Sequence, residues 1–345
     1  MESCNRTESS DRIWPYLVAA AAGTLLLAFV PSDAWLNGAA QTGTALLTVF
    51  LKQFLTVLLL CAVPPVWARL AHRISPWALL GLAVFAFGAG LLVTGDLQEA
   101  LYTAALCALP GAGLYGLQKL KLSNFRTVIY GSFVTLAAVF VFVCVKDLIR
   151  TGDAYAAYKA TVDVYGQTLR KLVLSEDAQY GALLAEEADA MIDMFRSNAE
   201  SYCVSGMLLA SMTASLFNTL LSHLFCKNDA VLTPLPRFSE WRCERWYVLL
   251  SAGILLVTLF LSMARVQAAE ALSNIAGVLW RMPCMLGGLS TTRRIGIRAG
   301  KKWFFWVTVG LLVVMPPIMG MMLSLLGLLS ALRKPTNVGE DGKQI

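Results

Sequence analysis

Three charged residues sit inside stretches of sequence that are otherwise apolar: Lys52, Glu270 and Arg281. Hydrocarbon penalises an unpaired charge, so such a residue faces a partner, a wet cavity or a ligand unless its side chain snorkels to the interface. Glu270 and Arg281 share nearly one helix face but lie about 16 Å apart along the axis at ~1.5 Å per residue, so they do not pair within one helix. All three are candidate ligand-binding or polar intramembrane residues, with packing against a protein neighbour as the plainer alternative. A second group, Phe238, Glu240, Trp241, Arg242 and Trp246, mixes rings and charges just before an apolar run. Rings and guanidinium groups both suit the headgroup layer. This loop is expected to be a membrane-interface anchor first and a docking site for a partner second.

Other chemistries lack their usual signatures. The chain has no Walker A Gly-Lys-Ser/Thr, no His-Glu-x-x-His and no Gly-x-Ser-x-Gly, so nucleotide hydrolysis, zinc proteolysis and esterase chemistry are not written in it. Its cysteines, Cys4, Cys61, Cys107, Cys144, Cys203, Cys226, Cys243 and Cys284, form no pair at metal or redox spacing and have no His at ligand distance. They read as small hydrophobes, with Cys144 and Cys203 as a possible pair if both lie at an oxidising outer face. His72 and His223 stand alone. The expectation is therefore no catalytic residue, no metal and no cofactor.

Composition bounds the class. Of 345 residues, 57% are hydrophobic and 14% charged, with mean hydropathy +0.63, whereas an ordinary soluble domain carries about a quarter charged residues. A soluble enzyme, a disordered chain and a nucleic-acid-binding module are excluded as the main reading. The net charge of +6 is explained by Lys and Arg collecting in cytoplasmic loops, so no nucleic-acid partner is implied.

A membrane-crossing helix needs roughly 20 apolar residues. Nine stretches come close: 13–30, 43–67, 77–94, 97–117, 127–145, 202–225, 246–264, 269–289 and 303–332. The expected fold is all-α, a polytopic transmembrane helix bundle of 8–9 spans with an extracytoplasmic helical insertion. It divides into an N-terminal transmembrane bundle over 13–146, an acidic helical segment over 147–200, a C-terminal transmembrane bundle over 201–332 and a polar tail over 333–345. The first stretch is read as a retained span, because Glu2, Glu8 and Asp11 outnumber Arg6 and Arg12 where a secretory signal wants positive charge. The weakest span is 269–289, with Arg281 near its middle. Pro316-Pro317 is expected to kink the last one.

Sixteen Lys and Arg, among them Arg69, Arg73, Lys119, Arg126, Arg242, Arg293 and Arg294, fall in loops on the N-terminal side, while the opposite loops 31–42 and 95–96 hold none. An N-terminus in the cytoplasm follows. The tail, with Arg333, Lys334 and Lys343, breaks that pattern if all nine stretches cross, so one marginal span is expected not to cross fully. Pro110-Gly111-Ala112-Gly113-Leu114-Tyr115-Gly116, and Gly81, Gly88 and Gly90, mark either close helix packing or a discontinuous helix that offers backbone groups to a substrate.

The segment 147–200 carries ten acidic residues against five basic. Tyr155, Tyr158, Val162, Tyr165, Leu169 and Leu172 recur at helical spacing, as do Leu184, Ala188, Met191 and Phe195, with a break near Ser175-Glu176-Asp177 and Gly181. Two amphipathic helices are expected, either capping a cavity or docking a partner, or simply packed on each other and on the rim of the bundle. No acid–base pair can be named from their carboxylates.

Pro236-Arg237-Phe238-Ser239-Glu240-Trp241-Arg242, followed by a span that opens at Trp246, resembles the Pro-Phe-x-Glu-Trp-Arg signature of the YybS-like predicted bacterial membrane proteins, a family of unknown function. The order of parts is also similar: five spans, an acidic helical insertion, a span with Asn218, the signature, a basic turn at Arg293-Arg294-Ile295-Gly296, and a last span with Pro316-Pro317. Arg237 is inserted between Pro236 and Phe238, and Arg281 and Pro283 interrupt the eighth span. The resemblance implies a multi-pass protein of the bacterial plasma membrane. The N-terminal half is also similar to the small substrate-binding subunits of energy-coupling-factor vitamin transporters. The resulting expectation is a non-enzymatic substrate-binding or transport component for a small molecule, or alternatively a structural or regulatory scaffold. Its partners would be the lipid bilayer and either a small-molecule ligand or another membrane protein.

Overall fold

The computed structural model describes residues 13–30, 45–174, 178–225, 237–266 and 269–333, and all regular structure among them is helical. Arg6, Arg12, the loop 31–42, the break at Ser175–Asp177, Cys4, Cys226, Lys227, Pro236 and the tail beyond Arg333 lie outside the described residues. The chain forms two compact units, Met1–Pro234 and Leu235–Ile345.

The first unit contains α1 (Trp14–Phe29), α2 (Ala45–Arg73), α3 (Trp77–Thr94), α4 (Leu97–Lys119) and α5 (Asn124–Phe140). A π-helical turn, Val141–Val145, joins α5 to α6 (Lys146–Thr151), and α7 (Ala156–Leu174), α8 (Ala178–Ser197) and α9 (Ala199–Phe225) follow. Local chemistry sets several boundaries. Gly95 ends α3 in the left-handed region at φ +67, where a Cβ is strained. Asp96 then caps α4 by accepting from the Gln98 amide at 2.9 Å, and Ser123 caps α5 by accepting from the Arg126 amide at 3.3 Å.

The sequence groups the last of these helices with the C-terminal spans, but α9 packs in the first unit against α5 and α2. Ser215 of α9 donates to the carbonyl of Val128 at 2.7 Å. Gly131 on α5 permits this approach, since a Cβ there would overlap the Ser215 hydroxyl. The unit's core gathers around Trp67, Leu27, Leu60, Leu70 and Leu106.

The Pro110–Gly116 stretch does not interrupt its helix: α4 runs unbroken from Leu97 to Lys119. Two of its glycines serve packing, while Gly116 faces open space. A Cβ on Gly111 would stand 3.1 Å from that of Trp67, and one on Gly113 would stand 2.5 Å from Val134 Cγ1. On α3, Gly90 lies against Ala100, whereas Gly81 and Gly88 face open space. The discontinuous-helix reading of this region is therefore replaced by close helix contact.

α7 and α8 form the expected helical pair. Gly166 admits the Ile192 side chain, a Cβ there falling 2.5 Å from Ile192 Cδ1. Arg170 pairs with Asp189, and Arg196 with Asp163 at 3.6 Å. These exposed pairs contribute about 0–1 kcal/mol each, so apolar contact does more. At the base of the pair, Tyr155 and Tyr158 pack on a buried cluster of Cys144, Cys203 and Met207. Nearby, Arg150 binds both Asp96 and Glu99, and Lys146 approaches Glu99 at 3.5 Å.

The second unit contains a 3-10 turn (Phe238–Glu240), α10 (Arg245–Met263), α11 (Ala269–Arg298), α12 (Trp303–Val314) and α13 (Pro316–Leu332). α11 continues through Arg281, Pro283 and the Arg293-Arg294-Ile295-Gly296 stretch, so neither the interruption nor the basic turn read from the sequence is present. The stretch 303–332, in contrast, is two helices of 12 and 17 residues rather than one kinked span. Met315 adopts φ −130 and ψ 60 between them. A residue before proline is pushed out of the helical region, and Pro316 and Pro317 together remove two successive amide donors.

Six described helices are long and apolar enough to cross a membrane: Phe50–Arg73, Trp77–Thr94, Leu97–Lys119, Asn124–Thr151, Ala199–Phe225 and Arg245–Met263, while α1, α12 and α13 are apolar but shorter. Their outer faces carry large apolar side chains, with Trp77 77% and Leu92 88% exposed. Exposed apolar faces of this kind are covered by lipid, which leaves the backbone groups to be satisfied within each helix.

Candidate functional sites

α9 carries a row of polar side chains on a buried face. Ser201, Ser211, Ser215, Asn218, Thr219 and Ser222 are buried, and Ser205 is half-buried. Spacings of mostly three and four residues keep them on one side of the helix. Some are satisfied: Ser215 bonds Val128, and Thr219 donates to the Ser215 carbonyl at 2.9 Å. Four atoms are not, namely Ser205 Oγ, Ser211 Oγ, Asn218 Oδ1 and Ser222 Oγ. A buried polar atom without a partner costs about 1–3 kcal/mol, and native structures leave few of them. Asn218 and Ser222 are only 3% and 2% exposed.

The row ends at a small cleft lined by Gln118, Asn124, Thr127, Thr219, Ser222 and His223, among others, with room for about one water. His223 Nε2 bonds Asn124 Oδ1 at 2.9 Å, and His72 Nε2 bonds Gln118 Oε1 at 3.0 Å. The two histidines that stand alone in the sequence thus hold the amides at the rim of this cleft. Close by in the chain, Arg69 and Arg73 lie 5.6 and 6.0 Å from the Tyr16 ring centroid. The sequence did not single out the row. Its signal was present, however, as hydroxyls and one amide at helical spacing within an apolar span.

The intramembrane charges are placed as follows. Lys52 is half-buried on α2, and its carbonyl accepts from Thr56 Oγ1 at 2.8 Å. Glu270 is exposed in the first turn of α11. Arg281 is exposed midway along the same helix, and its carbonyl accepts from Ser324 Oγ at 3.1 Å. Glu270 and Arg281 thus remain on one continuous helix and are not brought together. Among the described residues no group of His, Cys, Asp and Glu is arranged to hold a metal.

In the second unit the Phe238–Trp246 loop folds over the end of α11. Two bonds pin it: Arg294 Nε donates to the Ser239 carbonyl at 3.0 Å, and Ser290 Oγ donates to the Trp241 carbonyl at 2.7 Å. Phe238 packs against Trp241 and Phe305, with ring centroids 5.8 and 5.9 Å apart. The Arg293 guanidinium lies 5.8 Å from the Phe238 centroid and 5.6 Å from that of Phe305, within cation–π range of both. Arg242 and Glu240 are exposed, whereas Trp241 and Trp246 are half-buried, with the Trp246 indole N–H donating to Glu244. Cys243 is buried, donates to the Pro283 carbonyl at 2.9 Å and meets the thiol of Cys284.

The charges of this corner are unbalanced. Burial, then the guanidiniums of Arg242 and Arg298, hold Arg294 below its ordinary pKa, with Glu240 acting in the opposite direction. One terminal nitrogen of Arg294, Nη2, is buried without a partner. Such an arrangement can hold a ring of anionic oxygens.

Comparison with known proteins gives a family and little more. No curated protein and no solved structure matches the chain, so the likeness of the N-terminal half to energy-coupling-factor subunits finds no support there. A family model described as a predicted membrane protein, DUF2232, matches residues 44–329. That match takes in nearly every helix of both units, and the chain belongs to this family of predicted membrane proteins, the same functionally unassigned multi-pass group that its Phe238–Arg242 motif resembles.

Proposed function

We propose that this protein is a substrate-binding component of the bacterial plasma membrane that takes a polar small molecule at the Ser222–His223 end of α9, where the cleft widens on binding from the room for about one water it has here. The observation that carries this reading is the pair of buried, unpartnered oxygens on Asn218 and Ser222 beside a polar cleft. A ligand's donors would satisfy them and recover the desolvation cost, which an apolar helix contact would not. The role is binding rather than catalysis, and transport is movement of the bound molecule through the same bundle.

A thermal-shift screen of the purified protein with polar metabolites and vitamins tests this. A ligand at a hundredfold excess over its Kd stabilises by about 2.7 kcal/mol, several degrees of melting temperature. Asn218→Leu separates ligand binding from packing. It is expected to stabilise the empty protein by about 1 kcal/mol, since a buried unpaired group is lost, and to abolish the ligand's shift. A screen without hits, or a shift that survives Asn218→Leu, counts against the reading.

The orientation proposed with it places Arg69, Arg73 and Lys119 on the cytoplasmic side. A reporter active only in the cytoplasm is expected to work when fused after Lys121 and to be silent when fused after Gly152. The opposite pattern inverts the topology.

A second reading, a scaffold for a membrane-protein partner, is favoured by the α7–α8 pair, which leaves Leu169, Met191 and Met194 exposed. Photocrosslinkers at Met191 would then capture one dominant protein.

A further inference from the structure

Among the described residues, the loop-capped end of α11 gathers more guanidinium than carboxylate charge. Arg242, Arg293, Arg294 and Arg298 converge there, and Glu240 is the carboxylate that acts on Arg294. The C-terminus of α11 adds about half a negative charge through its aligned peptide dipoles. Four guanidiniums less one carboxylate and that half-charge leave roughly two and a half positive charges. Lys301 and Lys302 follow directly in the chain.

The individual groups differ in what they are free to do. Arg293 is committed to the rings of Phe238 and Phe305, and Arg294 uses Nε to hold the Ser239 carbonyl. Arg294 Nη2 is nonetheless buried and unpartnered. Arg242 and Arg298 are exposed, on the loop and on the last turn of the helix respectively. Arg298 follows Arg294 by one helical turn on α11, Arg242 adjoins Trp241, whose carbonyl Ser290 holds, and both act on the Arg294 guanidinium, itself fixed by the Ser239 carbonyl. Planar N–H forks held this way match the tetrahedral oxygens of a phosphate, and a dianion offsets the local excess far better than a monoanion does.

We propose that the platform made by Arg242, Arg294 and Arg298 under the Phe238–Trp241 loop is a binding site for a phosphomonoester dianion. The group is carried either by a phosphorylated lipid headgroup or by a free phosphate compound. Arg294 supplies the fixed donor at the floor, Arg242 and Arg298 close on the outer oxygens, and Arg293 on its two rings keeps the loop seated. This site lies in the second unit and stands independently of the α9 row.

The full-length protein in phosphatidylcholine nanodiscs provides the test, with native mass spectrometry as the readout. One arm adds a minor fraction of phosphatidic acid, a phosphomonoester lipid. The control adds phosphatidylglycerol, a phosphodiester, at equal total charge. A third arm titrates inorganic phosphate into nanodiscs that lack both. Phosphatidic acid is expected to bind at least about tenfold more tightly than phosphatidylglycerol, a difference of about 1.4 kcal/mol. The Arg242→Gln/Arg298→Gln double variant is expected to lose that preference. Both residues are exposed and neither pins the loop, so the variant keeps its fold, which its unchanged melting temperature verifies. Preference for the lipid identifies a headgroup as the source, and binding of inorganic phosphate alone identifies a free compound. Either result supports the site if the double variant removes it. Equal binding of the two lipids with no uptake of inorganic phosphate overturns the proposal, as does a preference that the double variant retains.

Discussion

Gly327→Ala is expected to destabilise the second unit by about 3 kcal/mol, the upper end of the usual overpacking cost. α11 and α13 run antiparallel with their backbones in contact at Gly288 and Gly327. A Cβ at Gly327 would overlap the Cys284 carbonyl oxygen and stand 2.8 Å from the Gly288 amide nitrogen. One at Gly288 would overlap the Leu323 carbonyl oxygen and stand 3.0 Å from the Leu323 Cα. The obstacle in each case is backbone, which no side-chain rotamer can relieve. Lipid tails are as apolar as the helices, so the pair is held by close packing rather than by escape from water. Separating the axes by the width of a methyl group removes that packing along the whole contact. Gly320→Ala is the control, because its nearest neighbour is the flexible Met285 Sδ at 4.0 Å, and it is expected to change stability by less than about 0.5 kcal/mol. Denaturation midpoints in mild detergent compare the two. Equal midpoints would show that α11 and α13 do not meet at these glycines.

Two Pro-Pro pairs show what the sequence could and could not disclose. Pro64-Pro65 lies within α2, which continues through it, whereas Pro316-Pro317 ends one helix and starts another. Locally the two pairs remove the same hydrogen bonds. They differ in surroundings: Pro64 and Pro65 are fully buried, and Pro316 and Pro317 are exposed. Neighbouring helices hold α2 in line, whereas among the described residues the 315–317 junction is exposed, a distinction set by tertiary packing. The helical stripes of α7 and α8 were legible because a period of 3.6 residues is a local property. Tyr155 and Tyr158 pack on Cys144 and Cys203 as their spacing predicts, whereas Tyr165, Leu169 and Met191 of the same stripes stay exposed. The mix of rings and charges over Phe238–Trp246 was legible for the same reason. That Arg293 and Arg294 would lie beneath it was not, since Arg293-Arg294-Ile295-Gly296 reads as a turn and only the continuation of α11 through it brings these side chains to Phe238 and Ser239. The contact of Cys243 with Pro283 and Cys284 joins a loop to a helix 40 and 41 residues on and leaves no local trace in the chain.

Trp67→Ala is expected to weaken the first unit by about 3 kcal/mol, and the reason decides the size. Trp67 is completely buried, Gly111 of α4 lies against its ring, and its indole N–H donates to Thr24 Oγ1 of α1 at 3.1 Å. A single side chain thereby ties α1, α2 and α4 together. In a water-soluble core, truncation of an aromatic residue costs about 3–5 kcal/mol, part of it the lost transfer from water. Helices that separate within a bilayer leave the ring in lipid, so the transfer part is small and the cavity and its lost dispersion contacts dominate, which sets the lower end of that range. Trp67→Phe retains most of the packing and forfeits the donor to Thr24, for an expected cost of about 1 kcal/mol. Thr24→Val removes the acceptor instead. If the bond is the main tie, the Trp67→Phe/Thr24→Val pair will cost no more than either change alone. If packing is the main tie, Trp67→Ala will exceed Trp67→Phe by about 2 kcal/mol and Thr24→Val will be nearly neutral. The buried ring and the close approach of Gly111 favour the second outcome. A Trp67→Ala protein that melts within a degree of the native one would show that α1, α2 and α4 are not joined through this residue.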